Sequence, residues 1–206
     1  MRAGMVSTPE RLILASASTA RAQMLRNAGV EFTIDPAEID ESAIKRQHRG
    51  SGQGALACAQ ALAEAKARTV AARHPESLVI GADQILVAGD EWFDKPADLD
   101  GAATQLRRLA GRAHTLTTAA CAVWGHECLW QASALPSLTM RRLGEAFLAR
   151  YIEAEGEAVL GSVGAYRLEG RGAQLFARIE GDHFAILGLP LLELLEFLRG
   201  RGLLGE

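Results

Sequence analysis

Residues 78–88 read LVIGADQILVA, an apolar run broken only by the pair Asp83 and Gln84. A run of this kind belongs to a strand covered on both faces, which requires helices packed on a sheet. The acid in its middle constrains the fold further. A buried carboxylate without a partner costs several kcal/mol or is driven to its neutral form, so something cationic has to stand opposite it. The segment is therefore expected to read as strand, interruption at the acid, strand, then turn. Lys95 follows that turn in DKP, and Lys66 precedes the run on an Ala-rich helix. Lysine occurs only at positions 45, 66 and 95, all other basic side chains except histidine being arginine, which singles these positions out as places for a compact ammonium.

The rest of the chain supplies the layers. RLILAS (11–16) reads as a buried strand, followed by a helix in TARAQMLRNAG with Ser18 or Thr19 as cap and Gly29 as stop. EFTIDP (31–36) alternates as a strand, and the polar SAIKRQHRGSGQ (42–53) reads as a loop. GALACAQALAEAKARTVAAR is a long helix, and DLDGAATQLRRLAG is another, capped by Asp98 or Asp100. HTLTTAACAVWG and ECLWQASALPSLTMR read as two long strands around a tight turn. An amphipathic helix in GEAFLARYIEAEG, Gly-rich strand-and-loop sequence over 162–190 and a last helix begun at Pro190 complete the order. Strands alternating with helices, plus a long hairpin, predict an α/β mixed sheet.

Size and charge exclude several classes. A chain of 206 residues suits one domain spanning its whole length. The net charge of −3 argues against DNA or RNA as partner but leaves room for a small anionic ligand in a local basic pocket. No apolar run reaches membrane-spanning length, and MRAGMVSTPE lacks a signal-peptide core, so a cytoplasmic protein without membrane attachment is expected. Cysteines at 58, 121 and 128 form no metal-type pair, and HEC (126–128) reads as a hairpin turn.

Four features could carry chemistry. LILASASTAR runs a strand into a helix start, where free N–H groups bind phosphate; Ser16, Ser18 and Thr19 add hydroxyls and Arg21 a planar cation, although such residues serve as simple caps in most proteins. Glu41 and Asp83 could together hold Mg²⁺, or one could act as base on water. Lys66 and Lys95 could neutralise Asp83. GSVGAYRLEG (161–170) could bring backbone close to a flat ligand and present Glu169 there.

Taken together these segments resemble the Maf family of nucleoside triphosphate pyrophosphatases, from LILASAS to GLPLLELLEFL. ASASTAR keeps the family's Ser-x-x-Arg spacing at Ser18 and Arg21, with Thr19 and Ala20 in place of Pro and Arg. IDE, LAEAKA, GADQ and DKP match its motifs at Glu41, Lys66, Asp83 and Lys95. Gln84 and Glu169 resemble the branch linked to 7-methyl-GTP. Where that branch can carry an aromatic residue two after the Ser, this chain has Ala20, so no stacking face stands at that position. The resemblance implies a twisted mixed sheet with flanking helices, Maf/ITPase-like, in two lobes around a central cleft. It implies hydrolysis of a nucleoside triphosphate, ordinary or modified, to the monophosphate and pyrophosphate. Asp83, Lys66 and Lys95 would be catalytic. Ser16, Ser18, Arg21 and the two lysines would bind phosphate. Glu41 and Asp83 would hold Mg²⁺ or Mn²⁺, and Ala20, Gln84 and Glu169 would choose the base. A homodimer is also implied, and the Trp-containing hairpin around 121–131 offers a surface for one. Two other readings use the same cleft. A nucleotide-binding regulator of septum formation would need the pocket without a base, and a nucleotidyl or phosphoryl transferase would need a second acceptor site.

Overall fold

The computed structural model describes residues 11–205. Two strands form its spine. β3 (Ser77–Ala88) and β5 (Ala113–Trp124) are each 12 residues long and pair antiparallel along nearly their whole length, Leu78 opposite Trp124 and Val87 opposite Thr115. β1 (Arg11–Leu14) lies parallel to the first part of β3 and carries β2 (Thr33–Ile34) on its outer side. β4 (Glu91–Phe93) folds back on the last part of β3. On the far side β5 meets β6 (Glu127–Ala134) at one end and β7 (Ser137–Met140) at the other, and β7 carries β8 (Phe176–Glu180). Together they form one mixed sheet of eight strands.

The helices divide the two faces of β3. Its odd-numbered side chains Val79 and Ile85 pack under one long helix, α3 (Ala55–Ala71). Its even-numbered side chains fall into two separate clusters. Leu78, Ile80 and Ala82 join α1 (Thr19–Asn27) and the last helix, α7 (Leu191–Gly200). Leu86 and Ala88 join α4 (Leu99–Leu109) and α5 (Glu145–Glu155). The period of two along a strand thus builds two half-cores on each face, the α3 side dividing into one around Val79 and one around Ile85. The remaining α-helices are α2 (Glu41–Gly50) and the short α6 (His183–Ile186), and two 3-10 turns lie at Gly156–Gly161 and Arg171–Leu175. Among the described residues no helix is long and apolar enough to cross a membrane.

Four sequence expectations need correction. β3 is not interrupted at Asp83: the acid stays in the ladder opposite Ala119, because its charge burdens the side chain and not the backbone. The polar stretch 42–53 is not a loop but mostly α2. Its start is capped by Asp40, whose Oδ1 accepts from Ala43 N at 2.9 Å, and Ile44 packs against the α3 cluster. Polarity alone hid that helix, because it has no buried residue and is held by its cap and by tertiary ties. The strand expected over 31–36 shrinks to Thr33–Ile34. The long second strand of the hairpin breaks at Leu135–Pro136, where proline cannot donate to a ladder, and β7 turns away to pair with the start of β5.

The sheet has one gap that matters. On one edge of β3 the β1 ladder ends at Ile80 and the β4 ladder begins at Leu86. Residues 81–85 keep ladder partners only in β5. Asp83 and Gln84 sit in that gap, and a cleft of about 780 Å³ opens there.

Candidate functional site

Three charged side chains meet at the cleft floor. Lys66 Nζ lies 2.6 Å from Asp83 Oδ1 and 2.7 Å from Glu41 Oε1. Asp83 is buried, and Lys66 is the cation that offsets its desolvation. The placement follows from Gly81. A Cβ there would collide with the Ala63 carbonyl oxygen and crowd Ala67, so only glycine lets α3 press onto β3 where Lys66 faces Asp83. Burial alone would raise the Glu41 carboxyl. The Lys66 hydrogen bond and charge, with Lys45 and Lys95 farther out, outweigh it and hold Glu41 below the usual carboxylate range.

The turn between β1 and α1 forms the adjoining wall. Ser18 is the α1 N-cap, its oxygen accepting from Arg21 N at 3.4 Å, while Ser16 Oγ accepts from Ser18 N at 3.2 Å and from Arg21 Nη1 at 3.1 Å. The capping reading therefore holds for Ser18, while Ser16 braces the turn, and both line the cleft. Arg21 is buried and its Nε donates to the Gly188 carbonyl at 2.7 Å. Burial lowers its pKa, and the charges of Asp83 and Glu41 oppose that drop. Gly188 has φ +103°, and a side chain there would crowd the guanidinium.

Lys95 enters the same cleft from the segment after β4 but makes no ion pair within 4 Å among the described residues. Enclosure by the surrounding walls, then repulsion from Arg21, hold its ammonium below the ordinary lysine range. Lys45 lines the cleft too, a position that polarity alone had assigned to a loop away from any site. Its Nζ donates to Asp94 Oδ1 at 2.6 Å. Burial would lower its pKa, but the Asp94 hydrogen bond and charge, with Asp83 and Glu41 beyond, hold it above the ordinary lysine value.

The rest of the lining includes Gln84 and the loop over 161–169. Gln84 points to the face of β3 away from Lys66. Its Nε2 donates to Thr118 Oγ1 at 2.8 Å and to the Ala185 and Ile186 carbonyls at 2.9 and 3.1 Å. Two of these partners can only accept, which fixes the amide orientation and leaves Oε1 as the group that can face a ligand. Glu169 is exposed, 3.4 Å from Arg167 Nε, and lines the same cleft as Ala20. Tyr166 anchors that loop: its hydroxyl is 2.8 Å from His114 Nε2, and both side chains are buried. Burial pushes the His114 pKa down to about 4, so the pair is neutral near pH 7.

The geometry can be set beside known proteins. The profile of one family, described as Maf-like protein, matches residues 11–201. The chain belongs to the Maf family. A Maf relative from Granulibacter bethesdensis, named nucleoside triphosphate pyrophosphatase, is 52% identical over 92% of this chain and 96% of its own. One of the same name from Paramagnetospirillum magneticum is also 52% identical, over 92% of this chain and 98% of its own. A third, from Rhizobium etli and named 7-methyl-GTP pyrophosphatase, is 50% identical over 93% and 96%.

In this Maf protein all the site residues expected from sequence line one cleft: Ser16, Ser18, Ala20, Arg21, Glu41, Lys66, Asp83, Gln84, Lys95 and Glu169. Sequence reasoning missed Lys45, Arg167 and the two glycines that set the spacing, Gly81 and Gly188. The scarcity of lysine pointed to Lys45, and the loop assignment set that signal aside. No group of three or more His, Cys, Asp and Glu side chains gathers to hold a metal among the described residues. Lys66 takes one oxygen from each of Asp83 and Glu41, which leaves the second oxygen of each. Two carboxylate oxygens suit Mg²⁺ or Mn²⁺ completed by water and phosphate, and do not suit a zinc site.

Proposed function

We propose that this chain hydrolyses nucleoside triphosphates to the monophosphate and pyrophosphate, with Mg²⁺ or Mn²⁺, in the cytoplasm. The observation that carries the reading is Asp83. It is an acid buried at the midpoint of a central strand, half satisfied by Lys66, in a cleft that Arg21 and Lys95 also line. In this reading Asp83 accepts a proton from the water that attacks the α-phosphorus. Arg21, Lys66 and Lys95 neutralise charge that develops on the phosphate oxygens, and the N–H groups at the start of α1 hold one of them. Glu41 and Asp83 would hold the divalent ion, which supplies further charge neutralisation on the triphosphate. The names of the relatives support the same activity.

Base choice is proposed to favour guanine, 7-methylguanine included. Glu169 and the free Oε1 of Gln84 are both acceptors. Guanine presents two adjacent donors, whereas uracil and thymine present one donor between two carbonyl oxygens. A relative named for 7-methyl-GTP supports extending this to the methylated base. Ala20, which offers no stacking face, and Arg167, which shares Glu169, weaken the extra preference a positive base would gain.

A panel of ATP, GTP, 7-methyl-GTP, UTP and dTTP, assayed with Mg²⁺ or Mn²⁺ and resolved by chromatography, tests the proposal. Monophosphate and pyrophosphate are expected without an added acceptor, with guanine substrates ahead of UTP and dTTP and no turnover in excess EDTA. Diphosphate and orthophosphate as products would refute the reaction. Binding without turnover would favour the regulator. A preference for UTP would remove Glu169 from base selection, and full activity after exhaustive chelation would remove the metal.

A further inference from the structure

α2 places Glu41 and Lys45 four residues apart, on one face of the helix. Glu41 reaches Lys66 at the cleft floor, and Lys45 lines the same cleft one turn farther along. The Lys45 side chain is only 17% exposed, whereas its partner Asp94 is 55% exposed. Asp94 also has a second cation, Arg49, whose Nη2 lies 3.9 Å from its other oxygen. Arg49 is itself held, its guanidinium 5.0 Å above the Trp92 ring and its Nη2 donating to the Trp92 carbonyl. Asp94 can therefore lose Lys45 and remain solvated and paired. Lys45 lines the same cleft as Glu41, Asp83 and Lys95, and the charges of Asp83 and Glu41 act on it.

We propose that Lys45 is a further phosphate-binding cation of this cleft, held by Asp94 in the free protein and transferred to the phosphate oxygens when a triphosphate enters. This rests on the reading of the cleft as a nucleoside triphosphate site. An ion pair to an exposed carboxylate contributes little, and several anionic oxygens in a partly enclosed cleft compete well against it. Asp94 is then a competitor for Lys45 and not its support.

That relation gives the two residues opposite signs. Loss of Lys45 removes a charge-assisted contact to phosphate, whereas loss of the Asp94 charge frees Lys45 and raises the positive potential of the cleft. A clasp that merely pins α2 against the segment after β4 would make both substitutions harmful alike.

The test is calorimetric binding of inorganic tripolyphosphate to the parent, Lys45→Gln and Asp94→Asn, at fixed ionic strength and Mg²⁺, with the unfolding temperature of each. The expected result is about tenfold weaker binding for Lys45→Gln, the loss of one charge-assisted contact. Asp94→Asn should bind as tightly as the parent or tighter. Equal weakening in both variants, or parent-like binding by Lys45→Gln, overturns the proposal. A parent that binds tripolyphosphate but turns over no nucleotide refutes the proposed function and leaves the two variants to decide the role of Lys45. A parent that does not bind tripolyphosphate refutes both.

Discussion

Asp83→Asn is expected to lower kcat by about two to four orders of magnitude, the usual loss when a general base is removed. The fold should survive. Asparagine fits the same ladder position opposite Ala119, and its carbonyl oxygen can still accept from Lys66, which keeps Glu41 as its charged partner. The amide cannot take a proton from water, and it binds a divalent cation far more weakly than a carboxylate does. Nucleotide KM should change less than kcat, because Arg21, Lys66 and Lys95 remain to bind the phosphates. Steady-state kinetics beside a thermal unfolding curve checks this. A folded variant with more than about a tenth of parent activity, well above that expected range, would show that Asp83 is not the base.

Lys66→Met should damage both stability and activity, and the two effects can be separated. Lys66 is the ion-pair partner of Asp83, whose side chain is only 8% exposed. Removing one partner of a buried pair typically costs about 3–5 kcal/mol, because the other charge is left behind. The lower end of that range, about 3 kcal/mol, applies here, since Asp83 borders an open cleft that can admit water. Adding Asp83→Asn to Lys66→Met removes the stranded charge and should recover much of the lost stability while leaving turnover abolished. Denaturant unfolding of the two single variants and the double variant measures the coupling. Strict additivity of the two losses would mean that the 2.6 Å contact does not hold the floor of the cleft together.

How much of this could be read from sequence depends on the kind of signal. The central apolar run announced a buried strand, and the acid within it announced a cation. Lys66 and Asp83 do meet. Lys95, the other candidate, reaches the cleft without an ion pair among the described residues, because sequence proximity to a turn says nothing about the direction of a flexible side chain. The break expected at Asp83 is absent because desolvation acts on the carboxylate, and the backbone ladder proceeds past it. α2 was hidden because its stability is tertiary: the Asp40 cap, Ile44 against α3 and Glu41 on Lys66. With the helix hidden, the alignment of Lys45 with Glu41 could not be seen. Gln84 was legible as a residue beside the acid, but the commitment of its amino group to Ala185 and Ile186 depends on a contact about a hundred residues along the chain and leaves no local pattern. The glycines that set close approach, Gly81 against Ala63 and Gly188 against Arg21, are likewise visible only once the partners are in place.

Water activated at Asp83 is expected to attack the α-phosphorus. Attack at the α- or the β-phosphorus would yield the same two products, so product identity alone does not test it. Turnover of GTP in ¹⁸O-labelled water, followed by mass spectrometry of both products, does. One labelled oxygen is expected in the nucleoside monophosphate and none in pyrophosphate; label in pyrophosphate would rule out attack at the α-phosphorus.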